Sequence, residues 1–308
     1  MRISDIQVRD PFVVLEGGTY YLFGTTDKDP WNAPGVGFDV YASTGGLDEF
    51  EGPFPAFRPP HGFWSERNFW APEVYRYDGG YYMFASFKPK PDVSISKRRG
   101  TAVLKSQTGI MGPYVPWSLD EHGVSAPITP PDWECLDGTL YMEGTNPLTP
   151  YLVFCHEWVQ VRDGEICAMP LSMDLRQTIG EPKLLFCASS APWAHELKGR
   201  VASGFVADGP FFHRTQEGVL LLLWSSFGEG GNYCIGVARS QDGSLKGPWV
   251  QMEMPLFAAD GGHGMVFRDK DGTLCLTVHS PNKTPYERAL FMKINEVKSA
   301  SLSILRSC

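Results

Sequence analysis

Arg9-Asp10-Pro11-Phe12-Val13-Val14-Leu15-Glu16-Gly17-Gly18-Thr19-Tyr20-Tyr21-Leu22-Phe23 is the stretch on which the reading of this chain turns. A charged pair and a proline precede an apolar run, two glycines interrupt it, and a second apolar and aromatic run follows. Proline cannot donate to a sheet ladder, so Pro11 belongs at a strand start or on an edge. Gly-Gly between two β-type runs marks a tight hairpin. Asp10 therefore stands where a strand leaves a loop.

The arrangement returns four times. Ala71-Pro72-Glu73-Val74 leads through Asp78-Gly79-Gly80 to Tyr81-Tyr82-Met83-Phe84. Leu136-Asp137-Gly138-Thr139 leads to Tyr151-Leu152-Val153-Phe154, Asp208-Gly209-Pro210-Phe211 to Leu220–Trp224, and His263-Gly264-Met265 to Leu274–Val278. A third strand follows in most units and runs into Gly52-Pro53, Gly112-Pro113 and Gly247-Pro248, with a weaker version at Gly180-Glu181-Pro182. The polar openings, taken as Asp10, Glu73, Asp137, Asp208 and His263, are 63, 64, 71 and 55 residues apart. Such spacing excludes a tight solenoid and suits antiparallel blades set radially. The expected fold is all-β, a five-bladed β-propeller in a single domain over residues 5–297, with 298–308 as a frayed tail. Pro192–Gly199 is read as a loop or helical turn.

Composition narrows the function. Hydrophobic residues make up 43% of the 308, enough for a core, and aromatics make up 13%. A net charge of −8 argues against nucleic acid, whose phosphates need clustered cations. The basic run Lys97-Arg98-Arg99 reads as a solvated loop. No stretch approaches a membrane span, and the chain enters its first strand without a signal peptide. Seven scattered cysteines make neither a disulfide framework nor a metal motif. Buried free thiols in a reducing, cytoplasmic setting are the expectation.

In a propeller the inner strands run along the central axis, so the five openings converge on one channel mouth. The ends of the second strands reach the same face: Thr25-Thr26-Asp27, Phe87-Lys88, His156-Glu157-Trp158, Ser225-Ser226-Phe227 and His279-Ser280-Pro281-Asn282. Carboxylates crowded at one mouth push their pKa values apart. A protonated acid beside an ionised base is what glycosidic hydrolysis requires. Trp31, Trp64, Phe69, Trp70, Trp158 and Phe227 could pack on sugar rings. Plainer readings stand beside these. A strand-start aspartate often just closes an Asx turn, and Trp70 or Trp224 serves equally well between blades. His263, flanked by glycines, is less ordinary, because they let neighbouring backbone approach it.

Arg9-Asp10-Pro11-Phe12, Trp70-Ala71-Pro72-Glu73-Val74, Leu136-Asp137-Gly138-Thr139-Leu140-Tyr141, Asp208-Gly209-Pro210-Phe211 and Gly262-His263-Gly264-Met265-Val266, taken in order, resemble glycoside hydrolase family 43. The resemblance implies an inverting glycosidase acting on terminal α-L-arabinofuranosyl, β-D-xylosyl or galactofuranosyl linkages of plant-type or microbial oligosaccharides. Asp10 matches its general base, Asp137 the residue that orients and tunes the acid, and His263 a channel histidine near a bound calcium or a water. Glu73, Trp70, Trp158, Phe227 and His279 are the expected substrate contacts. The family's acid is a glutamate where this chain has Asp208, shorter by roughly one C–C bond of about 1.5 Å. Either Asp208 serves as acid, or Glu157 replaces it, or the chain binds sugars without cleaving them. Retaining chemistry of the fructan-cleaving propellers is a further rival, with a poorer match to the first and fifth blades. Inserts at Asp27–Val36 and Ala56–Asn68 are expected to wall a pocket and favour exo action. The sequence is silent on oligomeric state.

Overall fold

The computed structural model describes residues 1–91, 93, 98–145, 147–199, 203–297 and 301–305. The glycine pairs turn the chain as their composition requires. Gly17 and Gly18 both have positive φ, and Glu16 pairs with Thr19 across them. Asp78 and Gly79 do the same between Tyr77 and Gly80.

Strands β1 (Arg9–Glu16), β2 (Thr19–Thr25), β3 (Phe38–Ser43) and β4 (Glu51–Phe57) make the first blade. The second holds β5 (Ser65–Tyr77), β6 (Gly80–Pro89), β7 (Gly100–Ser106) and β8 (Tyr114–Pro116). The third holds β9 (Cys135–Glu143), β10 (Thr149–His156), β11 (Glu165–Pro170) and β12 (Lys183–Cys187). A small hairpin, β13 (Leu197–Lys198) with β14 (Ser203–Gly204), precedes the fourth blade. That blade is β15 (Asp208–Arg214), β16 (Leu220–Phe227), β17 (Tyr233–Ser240) and β18 (Trp249–Gln251). The fifth is β19 (Gly262–Arg268), β20 (Leu274–Ser280), β21 (Arg288–Val297) and β22 (Ser301–Ile304). The five-bladed propeller expected from the repeats is thus the fold.

Each blade is drawn from one continuous piece of chain. The tail is partly structured: Ser301–Ile304 pairs with Val297–Ile294 as the outer strand of blade five, and Leu302 is buried there. Its apolar positions alternate with serines, a period-2 signal too short to stand out in the sequence. Residues 298–300 and 306–308, the rest of that expected tail, lie outside the described residues, as does Lys97 of the basic run. Pro192–Gly199 holds no helix. It carries β13, a 3-10 turn at Ala188–Ser190 precedes it, and a one-turn helix α1 (Trp158–Val161) follows β10.

Apolar faces meet between blades. Phe38, Phe57, Phe63, Phe69, Trp64 and Phe87 form a cluster of tilted and edge-to-face rings joining the first two, with ring centroids 5.0–6.2 Å apart. The insert at 56–68 therefore feeds this core rather than walling a pocket, and Trp64 and Phe69 are core residues. Blade five closes on blade one through buried Met265, whose sulfur accepts the Val13 N–H at 3.0 Å. The six described cysteines are free, and all but Cys187 are buried. Among the described residues no helix is long and apolar enough to cross a membrane.

Candidate active site

One irregularity recurs in every inner strand. Arg9 pairs with Thr25 but the next partners are Phe12 and Phe23, so two residues of β1 oppose one of β2. The same bulge follows Trp70–Ser86, Leu136–Cys155, Asp208–Ser225 and Gly262–His279. The first bulged residue is left-handed each time: Asp10 (φ 52°), Ala71 (47°), Asp137 (56°), Gly209 (54°) and His263 (46°). Four of these are not glycine, and holding them there costs on the order of 1–3 kcal/mol each. A bulge re-aims a side chain and its N–H.

These N–H groups bind each blade to the one before it. Ala71 N–H donates to Thr25 Oγ1, Asp137 to Ser86 Oγ and His263 to Ser225 Oγ, each at 2.8 Å. Asp10 N–H donates to His279 Nδ1 at 3.2 Å, with Asn282 Oδ1 3.2 Å from His279 Nε2. Burial pushes His279 down to about 3, so its Nδ1 is an acceptor, and its 3.4 Å approach to Asp10 Oδ1 is no ion pair. The third blade departs from the pattern. Cys155 occupies the equivalent position, and the Gly209 N–H donates instead to Asp137 Oδ2 at 3.1 Å. Gly209 is set apart by space rather than by its left-handed φ, since a Cβ there would lie 2.7 Å from the His263 ring.

This register corrects two sequence assignments. Glu73 aligns with Phe12, Thr139, Phe211 and Met265, two residues past the bulge, and is buried below the mouth. Its carboxylate accepts the Tyr75 hydroxyl at 2.6 Å, and that hydroxyl also meets Thr139 Oγ1 at 2.7 Å. Asp208 aligns with Arg9, Trp70, Leu136 and Gly262, one residue before the bulge.

At the mouth lies a cavity of about 430 Å³. Asp10, Asp137, Asp208, Glu157 and His263 line it, as do Trp70, Trp158, Phe227 and Trp31. Glu73 and His279, expected as substrate contacts, are not in its lining; both support it from behind. Sequence reading passed over Tyr233, Leu197, Val206 and Thr284 in the lining; of the row Thr25, Ser86, Cys155, Ser225 and His279 behind it, it named Thr25, Ser225 and His279 and missed Ser86 and Cys155. The small or polar residue ending each second strand was the visible signal for that row.

The carboxyls are held in opposite states. Burial alone would raise Asp10, but His263 and Arg9, with the Thr25 hydroxyl donating to Oδ2 at 2.7 Å, outweigh it and hold the group below its ordinary value. His263 Nδ1 is 3.2 Å from Asp10 Oδ1 and 3.5 Å from Asp137 Oδ2. Arg9 is itself fixed by buried Glu287 at 3.0 Å and by Asn282 Oδ1 at 2.8 Å. Asp137 is pushed well up by burial and then by the Asp10 charge. Asp208 is pushed up to about 8 by burial and then by Asp137. Glu157 is raised by burial, though Arg99 at 3.2 Å opposes this. Arg99 also lies over the Trp70 ring at 4.3 Å, and Trp70 meets Trp31 edge-on at 5.0 Å.

The side chains around His263 do not compose a calcium cage. Calcium takes six to eight oxygen ligands. Among the described residues no group of three or more His, Cys, Asp or Glu is placed to hold a metal, and His263 Nδ1 faces two carboxylates. No step is assigned to a metal.

A propeller whose mouth gathers buried carboxyls of opposite protonation is matched by one family model, described as Glycosyl hydrolases family 43, over residues 3–298. The chain belongs to that family. It is a glycosidase, and its substrate is a carbohydrate. Among solved structures, an endo-arabinase from Bacteroides thetaiotaomicron VPI-5482 is 38% identical, with 98% of each chain covered and a TM-score of 0.86. A thermostable family-43 glycoside hydrolase is 22% identical over 98% of this chain and 93% of its own, at TM-score 0.76. An endo-1,4-beta-xylanase from the same Bacteroides strain is 24% identical over 98% and 95%, at 0.72. The last two speak for the fold alone. No curated protein sequence matches this glycosidase.

Proposed function

We propose that the enzyme hydrolyses α-L-arabinofuranosyl linkages with inversion of configuration, with Asp10 as general base, Asp208 as general acid and Asp137 as the residue that tunes and orients the acid. The observation that carries this is the split between two buried carboxyls at one mouth, Asp10 held ionised and Asp208 protonated up to about 8. Asp208 gives its proton to the glycosidic oxygen as the C–O bond breaks and its electron pair moves to that oxygen. Asp10 takes a proton from the water whose oxygen bonds to the anomeric carbon. Asp10 and Asp208 hang from different partners, and both couple to Asp137. Asp137 grips the N–H of the residue after Asp208, so it reaches the acid through the backbone as well as through charge.

Asp208 is preferred to Glu157 as acid because Glu157 faces Arg99, which favours the ionised form. Glu157, Trp70, Trp158, Phe227 and Trp31 are proposed as substrate contacts. Arabinofuranosyl is preferred to xylosyl because the neighbour at 38% identity is described as an endo-arabinase, whereas the xylanase is below the level that speaks for chemistry. Terminal cleavage is the first reading, supported by Trp31, α1 and β13 around the cavity; internal cleavage is the second reading, favoured by that neighbour's description.

Proton NMR of the first-formed product from linear arabino-oligosaccharides is the test. The β-anomer is expected at the start, and the α-anomer would exclude inversion. In the same digest, free arabinose from the outset marks terminal cleavage and a ladder of oligomers marks internal cleavage. Saturable binding with no turnover on arabinosyl, xylosyl or galactofuranosyl substrates would point to a silent sugar-binding protein instead.

A further inference from the structure

We propose that Tyr233 is the positioning residue that lets an aspartate serve as proton donor where the resemblance implies the longer glutamate. The inference rests on the reading of Asp208 as the acid. Tyr233 opens β17 opposite Phe227, and its hydroxyl donates to Asp208 Oδ2 at 2.9 Å. Fixing one carboxyl oxygen leaves the other, Oδ1, as the atom that carries the transferable proton.

The phenol can do this because its ring is clamped. It stacks on His279 with centroids 5.6 Å apart and planes 21° from parallel, and it packs on Phe227 at 5.2 Å. On a third side it presses the backbone of Gly262, where a Cβ would lie 2.8 Å from the ring. A donor whose ring is packed on three sides holds a short side chain to one orientation. A glutamate would bring one more methylene of reach and one more torsion to fix. Burial and the Asp208 charge keep the phenol protonated well beyond its ordinary range, so it donates to either form of the carboxyl. It favours the ionised one, to which the bond is stronger. His279 thus serves twice, holding the Asp10 N–H and backing the ring that holds Asp208.

Tyr233→Phe removes the hydroxyl and keeps the ring, so folding is expected to survive. The result expected is a fall in kcat of about 10- to 100-fold, the cost of a misplacement near 1 Å, with KM changed by less than about threefold. Two further readouts separate positioning from bulk structure. The alkaline limb of kcat/KM should move to higher pH, because a bond favouring the ionised acid is gone. The loss should be large for arabino-oligosaccharides and small for a dinitrophenyl arabinofuranoside, whose leaving group needs little protonation. Asp208→Glu should shrink the Tyr233→Phe effect in the double variant, a coupling that independent sites would not show. If Asp208→Asn is inactive on oligosaccharides while Tyr233→Phe moves neither the limb nor kcat, this inference fails and the acid assignment stands. If Asp208→Asn keeps full activity, the acid assignment falls and takes the inference with it.

Discussion

The first and fourth blades present the same strand opening to the same cavity and hold their aspartates in opposite states. Around Asp10 the chain supplies His263, Arg9 and a threonine hydroxyl, and these overcome burial. Around Asp208 burial wins, helped by Asp137, although His263 and the Tyr233 phenol both favour the ionised form. Both side chains are buried to a similar degree, so depth does not decide the difference; the neighbours do. Catalysis by this pair needs that asymmetry, and Asp137 is coupled to both carboxyls.

The comparison breaks most sharply by deletion. Asp10→Ala and Asp208→Asn should each lower turnover of arabino-oligosaccharides by about 10²–10⁴-fold, the range for a general base or acid. Only Asp208→Asn should recover substantially on a dinitrophenyl leaving group. Equal losses on both substrates would make the two residues chemically alike and end the division of labour. Thermal melts of both variants within a few degrees of the parent, as roughly expected for an isosteric or truncating change at a functional site, would exclude unfolding as the cause.

A smaller effect lies in pH. The acid must be protonated, so kcat/KM should fall as pH rises through about 8, the value at Asp208. The base must be ionised, so the acidic limb should lie below the ordinary carboxylate value, where Asp10 gains its proton. A profile with its alkaline limb near the ordinary carboxylate range would place the acid elsewhere.

The smallest effect concerns a carboxyl outside the cavity. Glu73 is raised to about 7, by burial first. Its folded value exceeds its unfolded one, so the folded form binds the extra proton between about 4.5 and 7, and stability declines across that window as pH rises. Glu73→Gln removes the ionisable group. Its stability relative to the parent should therefore grow with pH and level off above 7, with a gain of up to about 3 kcal/mol at 1.36 kcal/mol per unit. Urea melts at pH 5 and pH 8 measure it. A parallel decline in both proteins would assign that pH dependence to other groups.

Much of this was legible before any coordinates. Alternating apolar residues, Gly-Gly and Asp-Gly turns and five returning openings are local signals, and strand pairing within a blade is itself local, so the propeller followed from the sequence. Asp10, Asp137 and His263 were legible for the same reason, since each is the left-handed residue of one repeated bulge. Glu73 was misplaced because charge drew the alignment. Matching Pro72 to Pro11 aligns Ala71 with Asp10 and sets Glu73 level with Phe12. The reach of the tail strand was missed because four residues carry too little pattern.

What the sequence determined by itself was the repeat, and with it which side chains share one end of a ring. What only the tertiary structure decided was how those side chains are charged. Tyr233 meets Asp208 within one blade, but Asp137 meets Gly209 across 72 residues and Arg9 meets Glu287 across 278. A carboxyl's pKa depends on burial and on charges a few ångströms away, and closing the ring is the act that brings those charges together.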